Sequence, residues 1–274
     1  MVGVVGSSPI APTKFLLSLM ELLGLENSWP AALVVGALAI AAYVVSNLSG
    51  GGGSLILVPI VSYLVGAKAV APILNLGELI GEPVRVWLFW KHIRWDITRY
   101  YLPGAIAGAV AAGLLFKSFE AAWLKILIGI FLVSTVFQYR LGERKKSFPM
   151  KLVFFTPLGL FVGFFSTLIG SMGPVLNPFY LNCGVEKEAL IGTKTVNSFI
   201  LDIVQIGLYT SLGIISGWLW VYGIAVGLGA IAGNVIGKKL LARVSGDTFR
   251  RFVVAVMALS GVAMIVQEAR TLLG

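Results

Sequence analysis

The strongest constraint on the fold is a series of long segments whose residues are apolar on every face of a helix. Examples are Ala31–Val45, Ala105–Phe116 and Val253–Val266. Helices of this kind lie in membranes or at the centre of very large proteins. Charged residues make up only 12% of the 274 residues, against about 25% in soluble domains, so much of the surface must face an apolar medium. We therefore predict an all-α, polytopic membrane protein.

Side chains for disulfide or metal chemistry are scarce. The single cysteine, Cys183, excludes an internal disulfide framework, and the single histidine, His92, argues against a histidine-based zinc site. We therefore expect no cofactor and no metal. The formal net charge is +9, which in a soluble protein would suggest nucleic acid. Here the positive charges cluster in short loops between apolar segments, so we expect the lipid bilayer, and not nucleic acid, to be the partner.

The chain divides into an N-terminal extension and ten apolar segments. Residues 1–28 contain one apolar stretch, Phe15–Leu25, which is shorter than the roughly 20 residues of a membrane span, so we expect an extension or an interfacial helix. The ten segments lie at about 30–46, 55–65, 70–90, 100–116, 120–138, 151–168, 174–184, 188–211, 215–237 and 248–267. Because the second and seventh are short, we predict a helical bundle of about 8–10 transmembrane segments.

Basic residues predict the orientation in the membrane. Three loops and their borders hold 13 of the 21 lysines and arginines. These residues are Lys91, Arg94 and Arg99; Arg140, Arg144, Lys145, Lys146 and Lys151; and Lys238, Lys239, Arg243, Arg250 and Arg251. Positive loops stay on the cytoplasmic side, and an even number of segments separates each pair of these loops. We therefore predict that the basic loops are cytoplasmic and that both termini lie outside.

The two halves of the sequence share a motif. GGGGSLILVP runs from Gly50 to Pro59, and IGSMGPVLNP runs from Ile169 to Pro178. Each is a glycine-rich break before a short apolar helix with a proline at the same offset. Because each half has five segments, an odd number, the repeats should have opposite orientations. We predict two inverted five-segment repeats with glycine-broken half-helices, at residues 29–139 and 151–274, joined by a basic cytoplasmic linker at 140–150.

A break of this kind is tolerated within a membrane only where the backbone lines a cavity or is buried in protein. We expect the first short helix to start at Ser54 or Leu55 and the second to start at Pro174. Ser54 is a favourable N-cap, and a proline such as Pro174 suits the first helical position. Unpaired amides at both starts would then point toward the middle of the bilayer, as in anion sites. Close packing of small residues is the alternative explanation for the glycines.

Ionisable residues inside the apolar segments cost about 2.5–3.5 kcal/mol each at mid-depth and are usually functional. Two helical stripes contain them: Asn75, Glu78, Glu82 and Arg85 on the third segment, and Lys194, Ser198, Asp202 and Gln205 on the eighth. Buried carboxyl groups can exchange a proton, so Glu78, Glu82 and Asp202 are candidates for proton coupling. The alternative is that Glu82 pairs with Arg85, and Lys194 with Asp202, as static ion pairs.

The predicted anion site lies between the two breaks. Its backbone amides would come from Gly52, Gly53, Ser54, Gly173 and Val175, and its side-chain donors from Asn75, Thr193, Lys194 and Asn197. No residue is predicted to be catalytic or to bind a metal.

A twice-occurring glycine-rich motif, followed by a short helix with proline and then a helix rich in small and polar residues, resembles the sulfite exporter TauE/SafE family over about residues 30–268. GGGGSLILVP followed by Gly66 and Ala71 carries the first-half match. The second half departs from the family, with Ser171 and Met172 where further glycines are usual, and Asn177 before the proline. The resemblance implies transport of sulfite, sulfonates or related anions, commonly outward, across the bacterial cytoplasmic membrane.

The sequence therefore predicts a transporter, most simply an exporter, of a small sulfur-containing anion, and not an enzyme. Two alternatives stay open: an intramembrane lipid-pyrophosphate phosphatase that uses Glu78, Glu82 and Arg85, and an ion channel or cation carrier that uses Glu78, Glu82 and Asp202. The oligomeric state stays open as well, and a homo-oligomer is compatible with the sequence.

Overall fold

A computed structural model describes residues 28–49, 53–120, 123–124, 126–131, 133, 150–170, 172, 176–185, 187–240, 262 and 265–266. Within these residues the chain forms helices and no strands. The helices are α1 (Trp29–Ser49), α2 (Gly53–Leu64), α3 (Ala67–Phe89), α4 (Trp95–Leu115), α5 (Phe155–Ile169), α6 (Asn177–Asn182), α7 (Lys187–Ser211) and α8 (Trp218–Leu240). The polytopic, all-helical fold class predicted from the apolar segments is confirmed.

Eight of the ten predicted segments correspond to α1–α8, and most of their ends agree within a few residues. The fifth predicted segment, 120–138, is described only in part, and its described residues 126–131 are helical. The tenth segment and the basic linker lie almost wholly outside the described residues, as does the extension at 1–28 apart from Ser28. The domain boundaries therefore stay predictions.

Four helical stretches of the described chain are long and apolar enough to cross a membrane: Trp95–Ser118, Leu152–Ile169, Glu188–Ser211 and Trp218–Gly237. Two shorter apolar helices accompany them, Trp29–Val44 and Gly53–Leu64. The central helix α3 is as long as α8 but carries four charged residues among its 23, and it is packed inside the bundle. The cytoplasmic position of the basic loops and the outside position of both termini stay predictions.

The helix pairs of the two halves match each other. α1 packs on α8 as α5 packs on α4, α3 packs on α8 as α7 packs on α4, and α3 and α7 pack on each other. If α1–α4 are exchanged for α5–α8 in order, this set of pairs is converted into itself. Two repeats related by a two-fold axis would produce this pattern, with α3 and α7 beside the axis.

Small residues set the closest approach between helices α4 and α5. Gly104 and Gly108 of α4 lie against the backbone of Thr156 and Leu160, and Gly159 and Gly163 of α5 lie against the backbone of α4. A Cβ added at Gly163 would be 2.0 Å from the backbone oxygen of Ala105. Reciprocal small-residue contacts of this kind let membrane helices gain van der Waals contact along their backbones.

We predict that Gly163→Ala destabilises the protein, because the new methyl group would clash with backbone that has no room to shift. Overpacking of this kind costs about 1–3 kcal/mol, and the apparent melting temperature in detergent should fall accordingly. Gly207→Ala on α7 is the matched control, because a Cβ there meets no atom within 4 Å. Equal melting temperatures for the two variants would show that the α4–α5 contact is looser than described.

Candidate functional site

The two polar stripes predicted from the sequence meet in the middle of the bundle. Glu78 is the central residue of α3, and the polar stripe of α7 is centred near the middle of that helix. A helix of 23 residues is about 34 Å long, so this region is about 17 Å from either end of α3. In a helix that crosses a bilayer core of about 30 Å, this is the depth at which a charge is most expensive.

A cavity of about 70 Å³ lies between α3 and α7. One water molecule needs roughly 10–15 Å³ by the same measure, so the cavity has room for a small polyatomic ion. Its polar lining residues are Ser54, Asn75, Glu78, Glu82, Arg85, Tyr101, Ser166, Lys194, Thr195, Asn197, Ser198, Asp202 and Gln205. Gly170 and Met172, within the second break, and Leu176, just after it, also line the cavity. Both glycine-rich breaks therefore border the cavity in the described part of the chain.

Three carboxyl groups form a compact cluster on one side of the cavity. One oxygen each of Glu78, Glu82 and Asp202 lies within 4.8 Å of the others. Glu82 and Asp202 are 6% and 3% exposed, and Glu82 Oε2 and Asp202 Oδ2 have no hydrogen-bond partner among the described residues. Glu78 is hydrogen-bonded to the Ser54 side chain. We call these three residues the carboxylate triad.

Lys194 lies beside the second break. Its Nζ donates a hydrogen bond to Asn177 Oδ1, the first residue of α6, over 2.7 Å. One turn further along α7, Asn197 Nδ2 donates to the Tyr180 hydroxyl over 2.9 Å. The short helix α6 therefore positions the ammonium group of Lys194 and the amide of Asn197 at the cavity.

A hydrogen-bond network closes the cavity at Gln205. The side-chain amide of Gln205 lies 2.8 Å from the Asn75 amide and 2.9 and 2.8 Å from the hydroxyls of Ser166 and Thr167. We orient the Gln205 nitrogen toward Asp202, because the nitrogen then donates to Asp202 Oδ1 at 3.1 Å and the oxygen accepts from both hydroxyls. The Asn75 amide must then present its oxygen to the Gln205 nitrogen at 2.8 Å. Helices α3, α5 and α7 are thus fixed to one another by buried side chains.

The same network continues to Tyr209. The Asn75 amide lies 3.3 Å from the Tyr209 hydroxyl, and that hydroxyl donates to the backbone oxygen of Thr167. Two side chains, Asn75 and Tyr209, therefore connect α3 and α7 to the end of α5. Buried networks with satisfied members are rigid and specify one arrangement of the helices.

The structure brings most of the predicted side chains together. The cavity is lined by Ser54, Asn75, Lys194, Asn197, Glu78, Glu82 and Asp202. Thr193 is buried elsewhere, because its hydroxyl donates to the Ala189 oxygen and accepts from the Arg94 amide. Gly53 packs on α1, where a Cβ would be 2.8 Å from Ser46 Cβ. Gly52, Gly173 and Val175 lie outside the described residues.

The first short helix begins one residue earlier than expected, at Gly53. Ser54 therefore lies within the first turn, and its side chain is hydrogen-bonded to Glu78. Because Ser54 lies inside the helix, the prediction that it is the N-cap was wrong. The second short helix begins at Asn177, and Pro174, its expected first residue, lies outside the described residues.

Sequence reasoning missed several residues that line the cavity or are hydrogen-bonded to its lining. Ser166 and Thr167 were overlooked, although they are hydroxyl residues in an apolar helix directly before a glycine-rich break. Tyr101 and Tyr180 gave no comparable signal, because aromatic residues are common in membrane helices and near their ends. Their places become visible only when α4 and α6 are packed against α7.

The spacing of the triad would allow a small cation to reach all three carboxyl groups. Arg85 and Lys194 line the same small cavity, and their positive charges oppose the binding of a further cation. An anion, by contrast, finds a positive side chain and amide and hydroxyl donors on the α7 side.

Comparison with known proteins supports a polytopic membrane protein. The sequence profile described as "Sulfite exporter TauE/SafE" matches residues 35–264. A protein of Bacillus subtilis (strain 168) named "Probable membrane transporter protein YtnM" is 29% identical over 152 residues, which are 52% of this chain and 49% of that protein. The match thus spans about half the length of that relative. No solved structure matches the chain. The profile covers most of the sequence, and the chain therefore belongs to the sulfite exporter TauE/SafE family of membrane transporters.

Proposed function

We propose that this protein moves a small sulfur-containing oxyanion, sulfite or an organosulfonate, across the bacterial cytoplasmic membrane through the cavity between α3 and α7. The observation that carries the proposal is Lys194, a positive side chain on the eighth residue of α7 that lines a small polar cavity beside a helix break. Membership in the family suggests the chemical class of the anion.

Lys194 would contact the anion directly. Charge-assisted hydrogen bonds from ammonium to oxyanion are short and strong, more so where water is excluded. Asn197 and Ser198 lie on the same side of α7 and add an amide and a hydroxyl that can donate. Asn75, whose amide contacts Gln205 and Tyr209, would shape the wall of the site.

Access from the two sides would alternate around this fixed site. In transporters built from inverted repeats, the substrate binds near the midplane where the repeats meet, and the repeats rock against each other. The matched helix pairs of the two halves, with α3 and α7 in contact, support this arrangement. For an anion that moves alone, an inside-negative potential favours export by about 2.3 kcal/mol per charge per 100 mV.

We predict that Lys194→Gln weakens binding of sulfite and methanesulfonate about 10- to 100-fold, because a hydrogen bond to a charged group contributes about 1.5–3 kcal/mol. Isothermal titration calorimetry on the purified protein measures the affinity, and efflux from proteoliposomes measures transport. The control is Lys68→Gln, an exposed lysine in the first turn of α3. Unchanged affinity in Lys194→Gln would remove Lys194 from the site.

We also predict that Asn177 acts through Lys194. Asn177→Ala should weaken binding about 3- to 10-fold, because it releases the ammonium group without removing its charge. In a double-mutant cycle, Asn177→Ala should have little further effect in the Lys194→Gln background. Additive losses would indicate that Asn177 contacts the anion by itself.

The size of the cavity predicts selectivity. Sulfite and methanesulfonate should compete for one site, whereas naphthalenesulfonate should not compete, because a cavity of about 70 Å³ cannot admit a fused ring system. Competition of unlabelled anions with labelled sulfite in proteoliposomes measures this. Equal competition by naphthalenesulfonate would place the binding site outside the cavity.

A further inference from the structure

The charged groups that line the cavity do not balance. The three members of the carboxylate triad contribute three negative charges when ionised, and Arg85 and Lys194 contribute two positive charges. Among the described residues of the cavity lining, these five are the side chains that carry a charge in their ordinary state near pH 7. A surplus negative charge in a buried, low-dielectric site is strongly unfavourable, and such sites usually take up a proton instead.

The hydrogen bonds of the triad show which carboxyl oxygens lack a donor. Glu78 is bonded to Ser54, and Asp202 Oδ1 accepts from Gln205. Glu82 Oε2 and Asp202 Oδ2 are buried and have no donor among the described residues. A proton on one of these carboxyl groups turns it into a donor. An oxygen of each other member of the triad lies within 4.8 Å, a distance that one water molecule can bridge, so one proton can serve two carboxyl groups.

Other titratable groups near the triad do not change this balance. Tyr43 of α1 has electrostatic interactions with all three carboxylates, and Tyr101 of α4 and Tyr209 of α7 have them with Asp202. Tyr180 of α6 is bonded to Asn197. Phenol groups are neutral near pH 7. On α3 and α7 the charged neighbours of the triad are Arg85 and Lys194, which are already counted.

We propose that the triad holds one exchangeable proton when no anion is bound and takes up a second proton from solution with each monovalent anion, so that the two move together. The proposal rests on the anion transport proposed above. The reason is charge neutrality. One proton cancels the surplus negative charge of the anion-free cavity. A bound monoanion adds one negative charge again, and the second proton cancels that charge. Each ligand thereby strengthens the binding of the other, and this coupling is reciprocal.

Coupling to a proton changes the driving force for transport. An anion that moves with one proton carries no net charge, so the membrane potential does not act on the loaded carrier. The direction then follows the concentration gradients of the anion and of protons. A protein of this kind would export an anion that accumulates in the cell and would release it faster when the outside is alkaline.

Proton uptake can be counted by titrating methanesulfonate into the full-length protein. This probe keeps a single negative charge over the working pH range. Calorimetry in buffers of different ionisation enthalpy should give about one proton taken up per anion, and the Kd should rise about tenfold per pH unit. The single variant Asp202→Asn should still take up one proton, because its anion-free cavity is already neutral. The double variant Glu82→Gln/Asp202→Asn, with a surplus positive charge, should bind methanesulfonate without any proton.

The matched control is Glu188→Gln, an exposed acid on α7, which should behave as the wild type.

Replacing sodium by N-methylglucamine should have no effect; a requirement for sodium without proton uptake would overturn the proposal. Binding by the wild type with no proton uptake and no pH dependence would also overturn it, while leaving the proposed function intact. Failure of both sulfite and methanesulfonate to bind would instead contradict the proposed function, and the proton proposal with it. If the double variant does not fold, the wild type and Asp202→Asn alone decide the question.

Discussion

The cost of placing charges in the middle of a membrane determines much of this structure. Helices α3 and α7 carry five ionisable side chains around their centres, where each would cost several kcal/mol in contact with lipid. They can be present only because the two helices face each other and enclose a polar cavity. The other helices then surround α3 and α7 and present apolar residues to the outside. The polar cavity and the fold are thus consequences of the same constraint.

Small residues make this enclosure possible. Helices in lipid gain little from burying apolar surface and associate through van der Waals packing at close range. The reciprocal glycine contacts between α4 and α5 provide such packing for one side of the bundle. On the other side, Gly229 and Gly233 of α8 lie against the backbone of α1. The polar centre is therefore held between two glycine-packed helix pairs.

The sequence predicted the helices well, because long apolar segments and glycine-rich breaks are local features. It also predicted which residues share the cavity when they lie on a regular helical stripe, as Glu78, Glu82 and Asp202 do. It failed where the answer depends on packing between helices. Thr193 is adjacent to Lys194 in sequence, yet it points to the other side of α7 and bonds the Arg94 amide. Successive residues of a helix are separated by about 100°, so proximity in sequence is a poor guide there.

The most direct test of this account is to locate a bound anion. Selenite has the shape of sulfite, and its selenium atom scatters anomalously, so a crystal of the protein soaked with selenite reveals its position without assumptions. The account predicts an anomalous peak inside the α3–α7 cavity, within about 4 Å of Lys194 Nζ, and loss of that peak in Lys194→Gln. A peak at a membrane-facing or loop surface, or a cavity that stays unoccupied at saturating selenite, would contradict it.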